Sequence, residues 1–314
     1  MTTTTSRIPF PSVDTLVVAD AGLETWLLFD RGFELPSFAA YPLAGTEEGR
    51  AALTDYYSNF VKIAASLGTA LVLDAPTWRA NPDWAATLGH DRQQLAELIA
   101  ASVDVVHQVR AAYPDGHPFL VSGAVGPRGD GYVVGDAMDA DTAAWYHSFQ
   151  IEALASTPVD VVTAMTLSYV DEAIGIARAA ERAGLPAVIA FTVETDGNLP
   201  SGMPLGQAIE ATDEATGGYP VHYMINCAHP THFAGVLAGA GSWTTRLGGL
   251  RANASSLSHA ELDEALELDR GDPADLAARY RELRDQLASL HVIGGCCGTD
   301  HHHVDAIANA LCAR

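Results

Sequence analysis

The chain has 314 residues, a length that fits one large domain or two ordinary ones. Its 17 Lys and Arg residues against 39 Asp and Glu residues give a formal net charge of −22, which argues against binding to nucleic acid or to an anionic lipid surface. Hydrophobic residues make up 48% of the chain, enough for a sizeable core and too many for a disordered protein.

Neither export nor a membrane span is predicted. No segment approaches about eighteen uninterrupted apolar residues, the minimum for a transmembrane helix. Residues 1–12 are rich in Thr and lack the apolar core of a signal peptide, so we expect a flexible N-terminal segment there. Four cysteines in a chain of this length do not form a disulfide scaffold. These features favour a cytoplasmic protein.

Short apolar runs alternate with segments of helical period along the whole chain. The runs predicted as strands are Leu16–Gly22, Ala70–Thr77, Phe119–Gly126, Val159–Thr166, Ala187–Glu194, Val221–Cys227, Arg246–Asn253 and His291–Cys296. They predict a single (β/α)8 TIM-type barrel, an α/β fold, over 13–314. Alternation alone also fits a doubly wound sheet. The barrel is favoured because unusual residues follow the strands, at ends that a barrel brings to one face: Asp20, Asp74, Gly126-Pro127, Glu194, Asn226-Cys227 and Gly295-Cys296-Cys297.

Two later segments have distinct helical patterns. Ser258–Gln286 is acidic and is interrupted at Gly271-Asp272-Pro273, so we expect two surface helices whose charges face solvent. Another helix is predicted to begin near Thr299 or Asp300, because both are good N-cap residues. The run His301–His303 then falls in the first turn of that helix, where we expect it to be solvated.

Three cysteines are the strongest chemical signal. Cys227 ends the sixth predicted strand, and Cys296 and Cys297 end the eighth. The glycines flanking the cysteine pair let the chain curl off the strand, so both of its sulfurs can face a common centre with Cys227. Three thiolates select zinc over harder cations, and a fourth position left open marks a catalytic site. Such a site can hold a substrate thiol deprotonated, which predicts alkylation of that thiol.

Other interpretations of these residues stay open. Cys296 and Cys297 could form a redox-active disulfide, and Cys227 could be a buried apolar residue. A non-catalytic zinc site would instead use His229 or His232 as its fourth ligand. Cys312, near the end of the chain, is interpreted as a small packed residue.

Several motifs together resemble the homocysteine S-methyltransferases. They are Asp20-Ala21-Gly22, the pair Asn226-Cys227, and the run Gly-Gly-Cys-Cys-Gly-Thr at 294–299. The resemblance extends from about Val17 to Asp300 and takes in Pro76–Pro82, Ser122–Pro127 and Phe191–Val193.

The resemblance implies a (β/α)8 barrel with zinc on Cys227, Cys296 and Cys297. Homocysteine sulfur would take the fourth position and attack a methyl group on a sulfonium, quaternary ammonium or cobalamin donor, which yields methionine. Asp20 matches the acid that binds the ammonium group of the amino acid. Ala21, Gly22 and Asn226 would lie near the substrate. The expected partners are thus a small thiol acceptor and a methyl donor.

One departure from the family concerns the acceptor. The family commonly has a glutamate at the end of the fourth strand as a second ammonium ligand, and this chain has Met165 there. Glu24 and Glu194 are candidates to replace it. The alternative is an acceptor other than homocysteine, namely a different small thiol or selenol.

The expected donor is a free small molecule, because 314 residues leave no room for a cobalamin or folate module beside the barrel. S-methylmethionine and S-adenosylmethionine are the candidates. A positively charged methyl carrier favours an aromatic wall, which Trp26, Trp78 and Trp84 could supply. The sequence indicates no particular oligomeric state.

Overall fold

The computed structural model describes residues 7–113, 116–265 and 267–313, and within them it contains eight parallel strands and eleven α-helices. The strands pair in chain order and close into a barrel, which confirms the predicted fold class. They are β1 Val17–Ala19, β2 Ala70–Ala75, β3 Phe119–Val125, β4 Val161–Leu167, β5 Ala187–Phe191, β6 Tyr223–Asn226, β7 Leu247–Ala252 and β8 Val292–Gly295. Seven of them lie within runs predicted as strands, and β4 extends one residue beyond its predicted run, to Leu167. The expected N-terminal segment 1–12 falls partly outside the described residues, which begin at 7.

The helices surround the barrel. They are α1 Leu23–Phe29, α2 Glu47–Leu67, α3 Pro82–Thr87, α4 Arg92–Arg110, α5 Ala140–Ala155, α6 Val170–Ala183, α7 Leu205–Thr216, α8 Pro230–Leu237, α9 His259–Glu264, α10 Pro273–Gln286 and α11 His301–Cys312. The two helices expected between β7 and β8 are α9 and α10. Asp300 caps α11 by accepting hydrogen bonds from the backbone of His302 and His303, as predicted. None of the helices in the described part of the chain has the length and apolar character needed to cross a lipid bilayer.

Strand side chains alternate between two cores. One set points into the barrel, and it includes Val17, Ala19, Val72, Leu120, Val188 and Met224. The other set points outward and packs against the helices, and it includes Val18, Leu71, Leu73, Val121, Val162 and Ile189. Because both faces of every strand are covered, the strands are largely apolar. The packed barrel interior leaves the carboxyl ends of the strands as the place for a site.

The amino-terminal end of the barrel contains a buried histidine. His222 precedes β6 and is 5% exposed, and its ring lies 4.8 Å from that of Phe10 and 5.4 Å from that of His291. Neither ring nitrogen of His222 has a hydrogen-bond partner among the described residues. Burial, together with the nearby charges of His291 and Arg246, lowers the pKa of His222 to about 3.

This histidine makes stability depend on pH. The unfolded chain takes up a proton at His222 below about pH 6.5, whereas the folded chain does so only near pH 3. Its contribution to stability is therefore complete above pH 6.5 and is lost as the pH falls towards 3. We expect His222→Phe to reduce the fall in unfolding free energy between pH 7 and pH 5 by about 2 kcal/mol, as measured by urea denaturation. His117→Gln, at an exposed histidine, is the matched control; equal pH dependence in wild type and His222→Phe would contradict the assignment.

Candidate functional site

A cavity of about 420 Å³ opens at the carboxyl ends of the strands. The predicted site residues Asp20, Ala21, Gly22, Asn226, Cys227, Cys296 and Cys297 all line it. Aromatic side chains from the surrounding loops complete the wall, namely Phe29, Phe38, Trp78 and Tyr132. The volume is in the range of small-molecule sites, so the cavity is the candidate active site.

The three predicted cysteines meet at this cavity. The sulfurs of Cys227, Cys296 and Cys297 all lie within 4.8 Å of one another. Cys227 leaves β6 with φ +53°, a conformation that L residues rarely adopt, and Gly298 follows the cysteine pair with φ +78°. These two turns of the backbone bring sulfurs from two non-adjacent strands to one point. Cys312, in contrast, is exposed on α11.

The structure joins Cys227 and Cys296 as a disulfide, with their Cα atoms 5.4 Å apart. A redox-active link between Cys296 and Cys297 was one alternative from the sequence, and the structure instead pairs Cys296 with Cys227, which follows the next strand but one. The pairing follows from the register, in which Asn226 of β6 and Gly294 of β8 both pair with Arg251 of β7. The residues just beyond these strand ends are therefore close in space.

The donor set fits a soft metal ion. In tetrahedral zinc–thiolate sites each sulfur lies about 2.3 Å from the metal, which places the sulfurs about 3.8 Å apart. The three sulfurs already lie within 4.8 Å of one another, so the reduced cysteines could hold zinc with small movements. Cysteine thiolates are the ligands that zinc and other soft ions prefer.

Hydrogen-bond donors surround the sulfurs. The Asn226 amide oxygen accepts from the backbone N–H of Thr166 at 2.8 Å, and the Asn226 side-chain nitrogen donates to the Thr166 hydroxyl at 2.9 Å. The Thr166 hydroxyl in turn points at the Cys227 sulfur at 3.7 Å, and the Asn226 amide lies 3.9 Å from the Cys296 sulfur. The Tyr132 hydroxyl lies 3.8 Å from the sulfur of Cys297. These polar groups orient the sulfurs at the cavity.

The histidines considered as rival ligands lie elsewhere. His229 caps α8, and its ring contacts the Thr231 hydroxyl at 2.8 Å. His232 contacts the Ser256 carbonyl at 3.0 Å through Nε2. Neither belongs to the sulfur cluster or to the cavity wall in the part of the chain that the structure describes. A fourth protein ligand from these two residues is therefore not in place.

Arg251 is a site residue that the sequence analysis missed. It lies in β7, is 5% exposed, and forms ion pairs with both Asp20 and Asp74 inside the barrel. Its Nε also donates to the Gly295 carbonyl at 3.2 Å. Although burial opposes its charge, the two carboxylates hold the pKa of Arg251 above its ordinary value. The signal was present, because an arginine inside an apolar strand requires buried anionic partners.

Met165 stands where the family commonly has an acid, and Glu24 and Glu194 were the candidates to replace that acid. Met165, in β4, is 8% exposed and lines the cavity. Glu24, in the first turn of α1, also lines the cavity, and burial raises its pKa to about 7. Glu194 contacts His259 at 3.2 Å and is not part of the cavity wall that the structure describes. Glu24 is thus the candidate that faces the site.

The tryptophans expected to form a wall for a cationic donor carry arginines instead. The guanidinium of Arg79 lies 4.1 Å from the ring centre of Trp78 and 4.4 Å from that of Trp84. Arg31 lies 5.0 Å from the ring of Trp26. Of the three tryptophans, Trp78 lines the cavity. The faces of these rings make cation–π contacts with arginines of the protein. The prediction that Trp26 and Trp84 form a wall of the donor site is therefore wrong.

Known structures share this architecture. The oxidized form of the homocysteine methyltransferase MmuM from Escherichia coli superposes with a TM-score of 0.74 at 22% identity, covering 94% of this chain and 95% of that one. The metallated form of the same enzyme gives a TM-score of 0.69 at 23% identity, covering 94% and 96%. These likenesses support the barrel fold. A search of curated proteins gave no match.

The sequence itself carries the family assignment. The sequence profile of the homocysteine S-methyltransferases matches residues 17–311, which contain all eight strands and the three clustered cysteines. The chain therefore belongs to the homocysteine S-methyltransferase family and is a methyltransferase.

Proposed function

We propose that this protein is a zinc-dependent S-methyltransferase that moves a methyl group from a small sulfonium donor to homocysteine. The observation that carries the proposal is the cluster of three cysteine sulfurs, within 4.8 Å of one another, at a cavity of about 420 Å³. The donor would be S-methylmethionine or S-adenosylmethionine, and the product methionine.

The residues of the chain have separable roles in this proposal. Cys227, Cys296 and Cys297 hold the metal, which when bound supplies the Lewis acidity that keeps an acceptor thiol deprotonated near neutral pH. Asn226 and Thr166 fix the sulfurs through their mutual hydrogen bonds. No side chain needs to act as a general base, since metal binding releases the thiol proton.

The wall of the cavity favours a cationic donor. Within the described residues it contains six carboxylates, namely Asp20, Glu24, Asp74, Asp130, Glu267 and Asp269, against the guanidiniums of Arg79 and Arg251. Because Arg251 pairs with Asp20 and Asp74, the negative charge that would attract a sulfonium comes mainly from Asp130, Glu267 and Asp269. Phe38 and Tyr132 also line the cavity and cover its apolar part, which excludes water from the transferred methyl group.

The metal and the chemistry are tested together with Cys297→Ala. We expect about one zinc per chain in wild-type protein purified under reducing conditions, and methionine formation from homocysteine and S-methylmethionine. The variant should lose at least about a hundredfold in turnover, because a metal ligand is removed. Zinc content is measured by atomic emission and methionine by chromatography. Cys312→Ala, at an exposed cysteine of α11, should behave as wild type; wild-type protein without zinc would contradict the proposal.

The aromatic wall is tested with Phe38→Ala. Loss of the ring should raise the KM for the sulfonium donor roughly two- to thirtyfold, the range of a cation–π contact, and leave the KM for homocysteine unchanged. Steady-state kinetics with each substrate varied separately give both constants. Phe38→Tyr keeps the ring and should retain the wild-type KM, and Trp145→Ala, at a side chain 71% exposed, controls for ring loss elsewhere. An unchanged donor KM in Phe38→Ala would exclude this residue from donor binding.

A further inference from the structure

We propose that Glu24, and not Asp20, binds the ammonium group of the thiol acceptor and thereby selects amino-acid thiols. The assignment rests on the proposed function, since it places the acceptor at the cysteine cluster. It replaces the role that the family resemblance gives to Asp20.

Asp20 is already bound to a cation of the protein. Arg251 pairs with Asp20 and with Asp74, and both carboxylates are buried, at 2% and 7% exposure. An ammonium group at Asp20 would lie beside the Arg251 guanidinium and be repelled by it. Displacing Arg251 instead would leave a buried charge without one of its partners, which is strongly unfavourable.

The remaining carboxylates of the cavity differ in their surroundings. Asp130 accepts two backbone N–H groups of its own loop, at 2.7 and 3.1 Å. Asp269 accepts the Ser255 hydroxyl at 2.6 Å, and Glu267 is exposed to solvent. Glu24 is half-buried, its carboxylate accepts a hydrogen bond from its own backbone N–H, and none of the ion pairs among the described residues includes it. It is therefore the carboxylate best placed to gain from a ligand cation.

The position of Glu24 next to the cysteines is fixed by backbone contacts. The N–H of Gly22 donates to the Thr299 carbonyl at 3.3 Å, and the N–H of Gly298 donates to the Thr25 hydroxyl at 3.2 Å. A Cβ atom at Gly22 would lie 2.5 Å from the Cys296 carbonyl oxygen, so the chain entering α1 lies directly against the cysteine loop. An amino acid whose sulfur lies at the cysteines can thus extend along the cavity wall to Glu24.

The electrostatics of Glu24 agree with this role. Burial raises the pKa of the Glu24 carboxyl to about 7, and the hydrogen bond from its own backbone N–H together with the attraction of Arg251 and Arg79 only partly offsets the effect. A bound ammonium would supply the countercharge that the carboxylate lacks. The thioether of Met165, which also lines the cavity, carries no negative charge. Glu24 of α1 would therefore supply the charge that binds the ammonium group.

The test pairs a variant with an acceptor that lacks the amine. Homocysteine is compared with 4-mercaptobutanoate, the same thiol without its ammonium group, on zinc-loaded wild type and Glu24→Gln. We expect the variant to bind homocysteine roughly ten- to hundredfold more weakly, which is the contribution of a hydrogen bond to a charged group. Its affinity for 4-mercaptobutanoate should change by less than about twofold. Calorimetric binding and KM are both measured. Glu24→Asp should recover part of the loss, and Glu210→Gln, at an exposed glutamate of α7, should match wild type.

The outcomes separate this assignment from the proposed function. Equal weakening of both acceptors in Glu24→Gln, or equal affinity of wild type for both acceptors, would overturn the assignment while leaving thiol methylation intact. A selective loss of homocysteine binding in Asp20→Asn but not in Glu24→Gln would instead assign the binding of the ammonium group to Asp20. If wild type binds homocysteine without transferring a methyl group, the binding data still decide between the two carboxylates. Absence of any thiol binding would overturn both proposals.

Discussion

A guanidinium enclosed inside the barrel determines how charge is arranged at this site. Arg251 is placed by β7 between Asp20 of the first strand's end and Asp74 of the second, and all three groups are buried. Such a buried triad adds little net stability, yet breaking it is costly because a bare charge remains. It therefore acts as a fixed support under the cavity, and it removes two carboxylates from those that a ligand could use.

The cysteine cluster depends on backbone geometry as much as on residue type. Neighbouring residues on a strand face opposite ways, so a regular end to β8 would keep Cys296 and Cys297 apart. The turn at Gly298, with φ +78°, and the positive φ of Cys227 allow the three sulfurs to meet. Thr166 has φ +61° and holds Asn226 through two hydrogen bonds, which supports the strained end of β6. Strain of this kind persists where packing and hydrogen bonds enforce it.

The fold was predictable from the sequence because the side chains of both cores appear in it as apolar runs. Eight apolar runs mark the strands, and parallel topology follows from helices between them. The convergence of Cys227 with the cysteine pair could likewise be predicted, since carboxyl strand ends share one face of a barrel. Which side chains from different strand ends pair with one another could not be predicted, because these pairings depend on strand register and tilt. The two carboxylate partners of Arg251 and the disulfide partner of Cys296 belong to this class.

The same limit explains why a motif carried over from a family can mislead at one residue. Asp20 has the expected position after β1, but Arg251 of β7, two strands away around the barrel, forms an ion pair with it. The chain also has Met165 where the family commonly has an acid, so under the proposed assignment neither of the two usual positions binds the ammonium group. Glu24 enters the cavity from α1, beside the cysteine loop. Under the proposed assignment the ammonium site and the cysteine cluster lie in the wall of one cavity, as the binding of an amino-acid thiol requires.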